Sequence, residues 1–232
     1  MAAPFAGVAV EEPVSLDFSA GGRGLLLDHG GRRLRIEGES EQRLPEIACS
    51  ARWLSEQPIL LVKWGQTPLF GGVLPSGTPV VGYPPESVAS DGIVFSLLGD
   101  PPVHYREPPL PGVSAIAVES GALWLLGGCR AVRMRRGRGG FSVARTVVLP
   151  AEPTAACIGP DGALYVGCGS RLVRVFGEAP DPPDPLAVRL VDLARRGTRL
   201  FGLAEEGIVD LTAHVPAAEG EGPRFALPSC TE

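Results

Sequence analysis

The chain has 232 residues, of which 44% are hydrophobic, and this excludes a disordered chain because there is enough apolar surface to build a core. Its 31 Gly and 24 Pro disfavour a helical protein, because both residues interrupt helices, and favour many short strands joined by turns. The formal net charge of −5 provides no overall attraction to nucleic acids or to anionic membranes.

The N-terminal segment, residues 1–10, is apolar, but no basic segment precedes it and Glu11 interrupts it, so it is a poor signal peptide. No run of apolar residues approaches the 18 or so that a membrane span needs. The five cysteines are odd in number and scattered, without a CxxC pair: Cys49, Cys129, Cys157, Cys168 and Cys230. We expect free thiols, no metal and a cytoplasmic location. The absence of Asn and the single Lys beside many Arg are typical of a GC-rich bacterial genome.

The rest of the chain repeats one pattern of strand, tight turn, strand, Gly-rich turn and strand. In chain order the six units include residues 16–36, 59–70, 90–105, 112–134, 153–175 and 190–211. Their middle strands are predicted to begin near Leu25, Ile59, Ile93, Leu123, Leu164 and Leu200. These strands are apolar on both faces, as a sheet buried on both sides requires. Pro-rich stretches at 74–87, 106–112 and 177–186 indicate connections and outer edges.

The fourth and fifth units are the most similar pair. Residues 112–134 align without a gap on residues 153–175, which places Cys157 opposite Ile116 and predicts that its thiol is buried as a small apolar group. A period of about 35–45 residues with several strands per unit is typical of a β-propeller. We therefore predict an all-β fold, a single β-propeller domain over residues 1–232, with six blades. Residues 5–10 and 223–227 are strand-like and are expected to close the ring as neighbouring strands. A two-sheet sandwich or two small β domains are the alternatives.

The sequences SGALWLLGGCRAVRM and DGALYVGCGSRLVRV resemble blades of the two-component-regulator propellers and NHL-type repeats, which share the pattern DG-x-L-W/Y-V-G followed by L-x-R-V. This resemblance implies a fold and leaves the activity open, because propellers support many functions. In its size and character the chain also resembles the bpX-type β-propeller companions of bacterial MoxR ATPase–von Willebrand A systems. That resemblance implies a partner among the components of such a system.

The sequence contains few of the motifs that catalysis requires. The lactonase-type propellers bind a cation through Glu, Asp and Asn oxygens, and this chain has no Asn. His29, His104 and His214 stand in no nucleophile or metal motif, and Lys63 belongs to a strand rather than to a phosphate-binding loop. We expect neither a cofactor nor a metal, and we interpret the chain as non-catalytic.

One charged feature is prominent: six arginines and no acidic residue lie between Arg130 and Arg145. The candidate partner-binding residues are Arg130, Arg133, Arg135, Arg136 and Arg138. They are predicted to fall where the fourth unit turns from its third strand to its outer strand. A solvated outer hairpin is one interpretation, and a contact for an acidic protein surface is the other. The acidic remainder of the chain and the scarcity of nearby aromatic residues argue against nucleic acid.

Together these features predict a non-catalytic, protein-binding scaffold module in a cytoplasmic bacterial multiprotein system. The alternative function is a small-molecule-binding or hydrolytic, lactonase-like propeller with its site at the central channel. The two differ in what should line the channel mouth, since an enzyme would gather carboxylates or histidines there.

Overall fold

The structure, a computed structural model, describes residues 4–44, 47–54, 57–64, 67–73, 79–82, 114–119, 122–137 and 140–216. In this part of the chain the fold is almost entirely β, and its only helical elements are two three-residue 3₁₀ turns, His29–Gly31 and Thr212–His214. The same residues include no helix with the length and apolar character that crossing a membrane requires. The predicted all-β class is therefore confirmed.

The strands form antiparallel sheets in which consecutive strands are neighbours, and each sheet is numbered here by the sequence unit that forms it. Sheet 1 comprises β1 (Ser15–Phe18), β2 (Gly24–Asp28), β3 (Arg33–Ile36) and β4 (Gln42–Arg43), and sheet 2 comprises β5 (Ala48–Leu54), β6 (Gln57–Trp64), β7 (Thr67–Val73) and β8 (Pro79–Gly82). Sheet 4 comprises β9 (Ala115–Glu119), β10 (Ala122–Gly127), β11 (Arg130–Gly137) and β12 (Gly140–Val148). Sheet 5 comprises β13 (Ala155–Ile158), β14 (Leu164–Gly167), β15 (Arg171–Val175) and β16 (Asp184–Pro185), and sheet 6 comprises β17 (Leu190–Arg196), β18 (Arg199–Ala204) and β19 (Gly207–Asp210).

The predicted middle strands are the second strands of these sheets. Five of the six are confirmed as β2, β6, β10, β14 and β18, and the sixth, near Ile93, lies outside the described residues. Every residue of β2 and of β14 is buried, as expected for a strand covered on both faces.

The gapless alignment of the fourth and fifth units is wrong by one residue in the first strand. Ala117 pairs with Trp124 in sheet 4, whereas Cys157 pairs with Tyr165 in sheet 5. Cys157 is therefore the equivalent of Ala117 and not of Ile116. The cause is one additional residue in sheet 5: three residues separate the bonded Gly159 and Ala163, whereas two residues of the sequence separate the paired Glu119 and Ala122 of sheet 4. Gly162 adopts φ +78°. The Cys157 side chain is partly buried rather than fully buried.

Among the described residues, four apolar clusters hold the sheets together, and each lies between two sheets rather than within one. The cluster between sheets 4 and 5 includes Trp124 and Leu164, and the cluster between sheets 5 and 6 includes Tyr165 and Leu200. Phe18 of sheet 1 packs with Phe201 of sheet 6, and the fourth cluster joins sheets 1 and 2. Since a single blade cannot cover its own faces, burial between neighbouring sheets is the packing that a β-propeller requires.

Hydroxyl groups at or just before the first strand add hydrogen bonds between neighbouring sheets. Ser15 Oγ donates to the Ala51 carbonyl at 3.1 Å, and Thr154 Oγ1 donates to the Leu190 carbonyl at 2.9 Å. Ser114 Oγ makes the same kind of bond, to the Pro153 carbonyl at 2.7 Å. The first strands therefore lie at the contacts between sheets, where β1 touches β5 and β17, and β13 touches β9 and β17.

The expectation that residues 5–10 form a strand is wrong. These residues form a turn, in which Val8 N–H donates to the Phe5 carbonyl, followed by irregular chain. Positive φ angles at Phe5 (51°) and Gly7 (77°) prevent a regular strand there. Phe5 and Val10 instead pack against the cluster between sheets 1 and 6. Residues 223–227, the other half of the predicted closure, lie outside the described residues.

Candidate functional site

The arginine-rich segment forms the hairpin of β11 and β12, the third and outermost strands of sheet 4. This is the position that the sequence predicts. Arg130 and Arg135 are exposed, and Arg133 is partly buried. Arg136 lies in β11, but its side chain and the whole of Arg138 lie outside the described residues. Of the three candidate residues whose side chains the structure describes, Arg130 and Arg135 therefore present their charge to solvent.

A row of three side chains crosses sheet 4. Trp124 pairs with Arg133, and Arg133 pairs with Arg145, so all three belong to one face of the sheet. The Arg145 guanidinium carbon lies 5.8 Å from the centroid of the Trp124 ring, within the range of a cation–π contact. The ring of Trp124 is buried against sheet 5 and stabilises Arg145 on the outermost strand.

In sheet 5, the residue at the position of Arg133 is Arg174. Arg174, which pairs with Tyr165, donates to Asp161 at 2.8 Å and to Asp181 at 2.9 Å. Partial burial alone would raise the pKa of Asp161, but the hydrogen bonds from Arg174, from the Ala163 N–H and from the Tyr165 hydroxyl together outweigh it and lower that pKa below its ordinary value. At the position of Asp161, sheet 4 has Ser120 in the sequence.

A second polar cluster lies on the first strands, and sequence reasoning missed it. Arg52 donates twice to Asp192, from Nη1 to Oδ2 at 2.7 Å and from Nη2 to Oδ1 at 3.0 Å. Asp192 also accepts the backbone N–H groups of Leu16 and Leu193, each at 2.9 Å. Because Asp192 belongs to sheet 6, Leu16 to sheet 1 and Arg52 to sheet 2, this carboxylate connects three sheets.

Asp17 completes the same cluster. Its Oδ2 accepts the N–H of Trp53 at 2.8 Å, and its Oδ1 accepts the N–H of Phe18 at 2.9 Å. Burial raises the pKa of Asp17, although Arg52 and the two N–H groups oppose that shift. Burial also opposes the charge on Arg52, but Asp192 and Asp17 overcome it and raise its pKa. Both carboxylates therefore accept hydrogen bonds from groups of the protein itself, and these bonds join neighbouring sheets.

Cys157 lies beside this cluster on β13. Burial raises the pKa of its thiol, and the negative charges of Asp192 and Asp17 raise it further. The thiol is therefore protonated and weakly nucleophilic at neutral pH. The sequence does contain a signal for the cluster, since Asp17 and Asp192 each interrupt an apolar strand (Leu-Asp-Phe and Val-Asp-Leu).

The other candidates for chemistry are spread over the molecule. His29 Nε2 lies 3.0 Å from Glu11, and His214 Nδ1 lies 3.4 Å from Asp184. The two histidines belong to different 3₁₀ turns, His29–Gly31 and Thr212–His214. His104 lies outside the described residues, and Lys63 lies in β6 as a strand residue. Over the described ranges, no group of three or more His, Cys, Asp or Glu side chains could hold a metal ion.

Comparison with known proteins identifies the fold alone. No family model and no curated protein matches the chain. Among solved structures it is similar to virginiamycin B lyase from Staphylococcus aureus, with a TM-score of 0.59 and 15% identity over 88% of this chain and 86% of that one. It is similar to YjhT, with a TM-score of 0.60 and 8% identity over 88% and 94% of the two chains. It is also similar to YCF48 bound to D1 peptide, with a TM-score of 0.55 and 10% identity over 87% and 81%.

These similar structures include an enzyme and a protein with a bound peptide, so they support the architecture and leave the activity open. The sheet topology, the apolar clusters between sheets and the similarity to solved structures all lead to one conclusion: this chain is a β-propeller.

Proposed function

We propose that the chain is a non-catalytic, protein-binding β-propeller that contacts an acidic partner surface through Arg130, Arg133, Arg135, Arg136 and Arg138. The exposure of Arg130 and Arg135 on the outer hairpin of sheet 4 supports this proposal. Guanidinium groups bind carboxylates through paired, charge-assisted hydrogen bonds, so an acidic protein surface is the natural complement.

The observation that carries the proposal is the separation of charge within the chain. The segment from Arg130 to Arg145 has six arginines and no acidic residue, while the total charge is −5. The other residues therefore carry a net charge of −11, because the six arginines contribute +6. A single basic patch on an acidic molecule orients an acidic partner towards that patch and repels it elsewhere.

The resemblance to the bpX-type companions of MoxR ATPase–von Willebrand A systems suggests the class of partner. We propose a component of such a system, either the ATPase or the von Willebrand A protein, in the bacterial cytoplasm. The chain would act there as a rigid scaffold that presents the hairpin.

A small-molecule or hydrolytic site at the first strands has less support. Asp17 and Asp192 are the acidic residues that such a site would use, and each already accepts two backbone N–H groups, while Asp192 also holds Arg52. Freeing either carboxylate for catalysis would break bonds that join the sheets.

The test compares three forms of the protein as affinity baits in an extract of the source cells: the wild type, the double variant R130E/R135E and the control R171E/R189E. The control changes the charge equally at two other exposed arginines. We expect one protein to be retained by the wild type and by the control and lost from R130E/R135E. With that protein purified, the double variant should raise Kd about tenfold or more in low salt, and less in high salt.

The proposal fails if R130E/R135E is folded and binds the same purified partner with unchanged Kd and unchanged salt dependence. Circular dichroism and a melting curve establish the fold of each variant. The hairpin would then be a solvated outer edge.

A further inference from the structure

The outermost strand of sheet 4 differs from the other outermost strands of the described sheets. β12 has nine residues, whereas β4 and β16 have two each and β8 and β19 have four each. β8 and β16 also contain proline, which removes a backbone donor. Short strands and prolines are the usual protection of a sheet edge, and β12 has neither.

β12 is also apolar and accessible. Its sequence, GFSVARTVV, has one charged residue, and the side chains of Val143 and Val148 are 54% and 70% exposed. Among the described strands, only β11 pairs with it. A β-bulge at Ala144, where the pairing changes from Arg133–Arg145 to Met134–Val143, divides β12 into two regular segments. A long, weakly charged edge strand is a template for pairing with another extended chain.

We propose that the outer edge of β12 binds an extended acidic segment of a partner protein as an added β-strand. This inference rests on the proposed function and specifies how the partner is held. Backbone hydrogen bonds to β12 would supply the register, and the arginines of β11 would supply the selection for acidic residues.

The positions of the exposed arginines fit such a segment. Arg130 pairs with Val148 and Arg135 pairs with Ser142, so one exposed guanidinium lies near each end of β12. An added strand would lie roughly 10 Å from β11, since neighbouring strands are about 4.8 Å apart. β12 would lie between the added strand and β11. Across that separation, a glutamate of the added strand and an arginine of β11 can meet because both side chains are long.

Charge also decides between an acidic segment and a second copy of this chain. Pairing of two β12 strands would bring two sets of six arginines to one interface, and like charges placed together cost several kcal/mol. An acidic strand removes that repulsion and replaces it with attraction. Arg130 and Arg135 are five residues apart in β11, so their side chains lie on opposite faces of the sheet. The occupant is therefore a partner segment that carries acidic residues on both faces of the added strand, among β-branched residues.

The test uses the fluorescein-labelled peptide Val-Glu-Val-Glu-Val-Val-Glu-Val-Glu, which places Glu on both faces of an added strand. Two derivatives keep its charge. One derivative is N-methylated at every second residue, which removes the donors along one edge, and the other has two of its Val replaced by Pro. Fluorescence anisotropy in low salt measures each Kd for the wild type, R130E/R135E and R171E/R189E. Sedimentation of the wild type alone measures its oligomeric state.

We expect the parent peptide to bind the wild type and the control at least tenfold more tightly than either derivative, and R130E/R135E to lose at least tenfold. Equal binding of all three peptides would overturn strand addition while leaving an acidic contact intact. No binding of any acidic peptide would overturn both proposals. A dimer that excludes the peptide would overturn the inference in favour of pairing between two copies.

Discussion

Asp192 makes hydrogen bonds that connect three sheets. Its side chain is 6% exposed, while that of Arg52 is 33% exposed, so the pair is shielded on one side only. Replacing Asp192 with Asn removes the charge that compensates Arg52. We expect a loss of roughly 2–3 kcal/mol in the free energy of unfolding, below the 3–5 kcal/mol of a fully buried pair. Urea denaturation at pH 7 measures this loss.

The matched variants are R52M and the double variant R52M/D192N. If the two side chains act as a pair, the double variant loses less than the sum of the single losses, by more than about 1 kcal/mol. Additive losses would show that Asp192 stabilises the fold through the Leu16 and Leu193 N–H groups alone.

Asp161 predicts a dependence of stability on pH. Hydrogen bonds from Arg174, the Ala163 N–H and the Tyr165 hydroxyl together outweigh burial and hold its pKa in the folded protein below 3.8, its ordinary value in an unfolded chain. Stability from this carboxylate is therefore present above pH 3.8 and is lost as the pH falls through the folded pKa. D161N should be less stable than the wild type at pH 7, and the difference should shrink below about pH 4. The control E205Q alters an exposed side chain and should follow the wild type at both pH values. A difference that persists unchanged at pH 3 would contradict this account.

The cysteines yield a prediction about reactivity. Cys129, Cys157 and Cys168 are free, and burial raises the pKa of Cys168 to about 11. In the folded protein at pH 7.5, a thiol reagent should modify Cys168 and Cys157 much more slowly than a small free thiol. In denaturant all five thiols of a freshly prepared sample should react at once. Fewer than five reactive groups would show that a disulfide or another modification is present.

At the scale of the element, the sequence predicts the middle strands well, but it predicts the register of the first strands and the exposure of the outermost strands poorly. The middle strands are evident because both of their faces are apolar, as in β2 and β14. The one-residue offset between Ala117 and Cys157 escapes the sequence because Gly121 and Gly162 align there, while two residues separate Glu119 from Ala122 and three separate Gly159 from Ala163. The exposure of β12 also escapes it, since Val143 and Val148 look like core residues and their exposure depends on which strand is outermost.

Some of the site residues could be predicted from the sequence and others could not. A cluster of arginines is visible in any sequence, and its place on the outer hairpin follows from the repeat. The pairing of Arg52 with Asp192 joins residues 140 positions apart, and only the packing of sheets 6, 1 and 2 brings them together. A charged residue within an apolar strand was the available signal, and it does not identify the partner.

At the scale of the whole molecule, the N-terminal segment contributes by packing rather than as a strand. Phe5 and Val10 contact the cluster between sheets 1 and 6, and the carbonyls of Glu11 and Glu12 accept the N–H groups of His29 and Gly30. Deleting residues 1–12 should lower the melting temperature by about 5–10 °C, since each kcal/mol corresponds to roughly 2–4 °C in a chain of this size. An unchanged melting temperature would contradict a structural role for this segment.

Six blades remain the prediction of the repeat. Sheets 4, 5, 6, 1 and 2 contact one another in that order, and residues 83–113, which contain the third unit, lie outside the described residues. The order of contacts around the molecule reflects the apolar faces that each pair of sheets buries, which no single unit can bury alone.

Hydrogen–deuterium exchange of the purified complex with its natural partner tests the central claim most directly, because it reports which backbone amides the partner protects. The account predicts that protection on binding is concentrated in residues 130–148 and is greatest along β12. Protection confined to other segments, with exchange in residues 130–148 the same in the free and bound protein, would contradict the claim that this hairpin binds the partner.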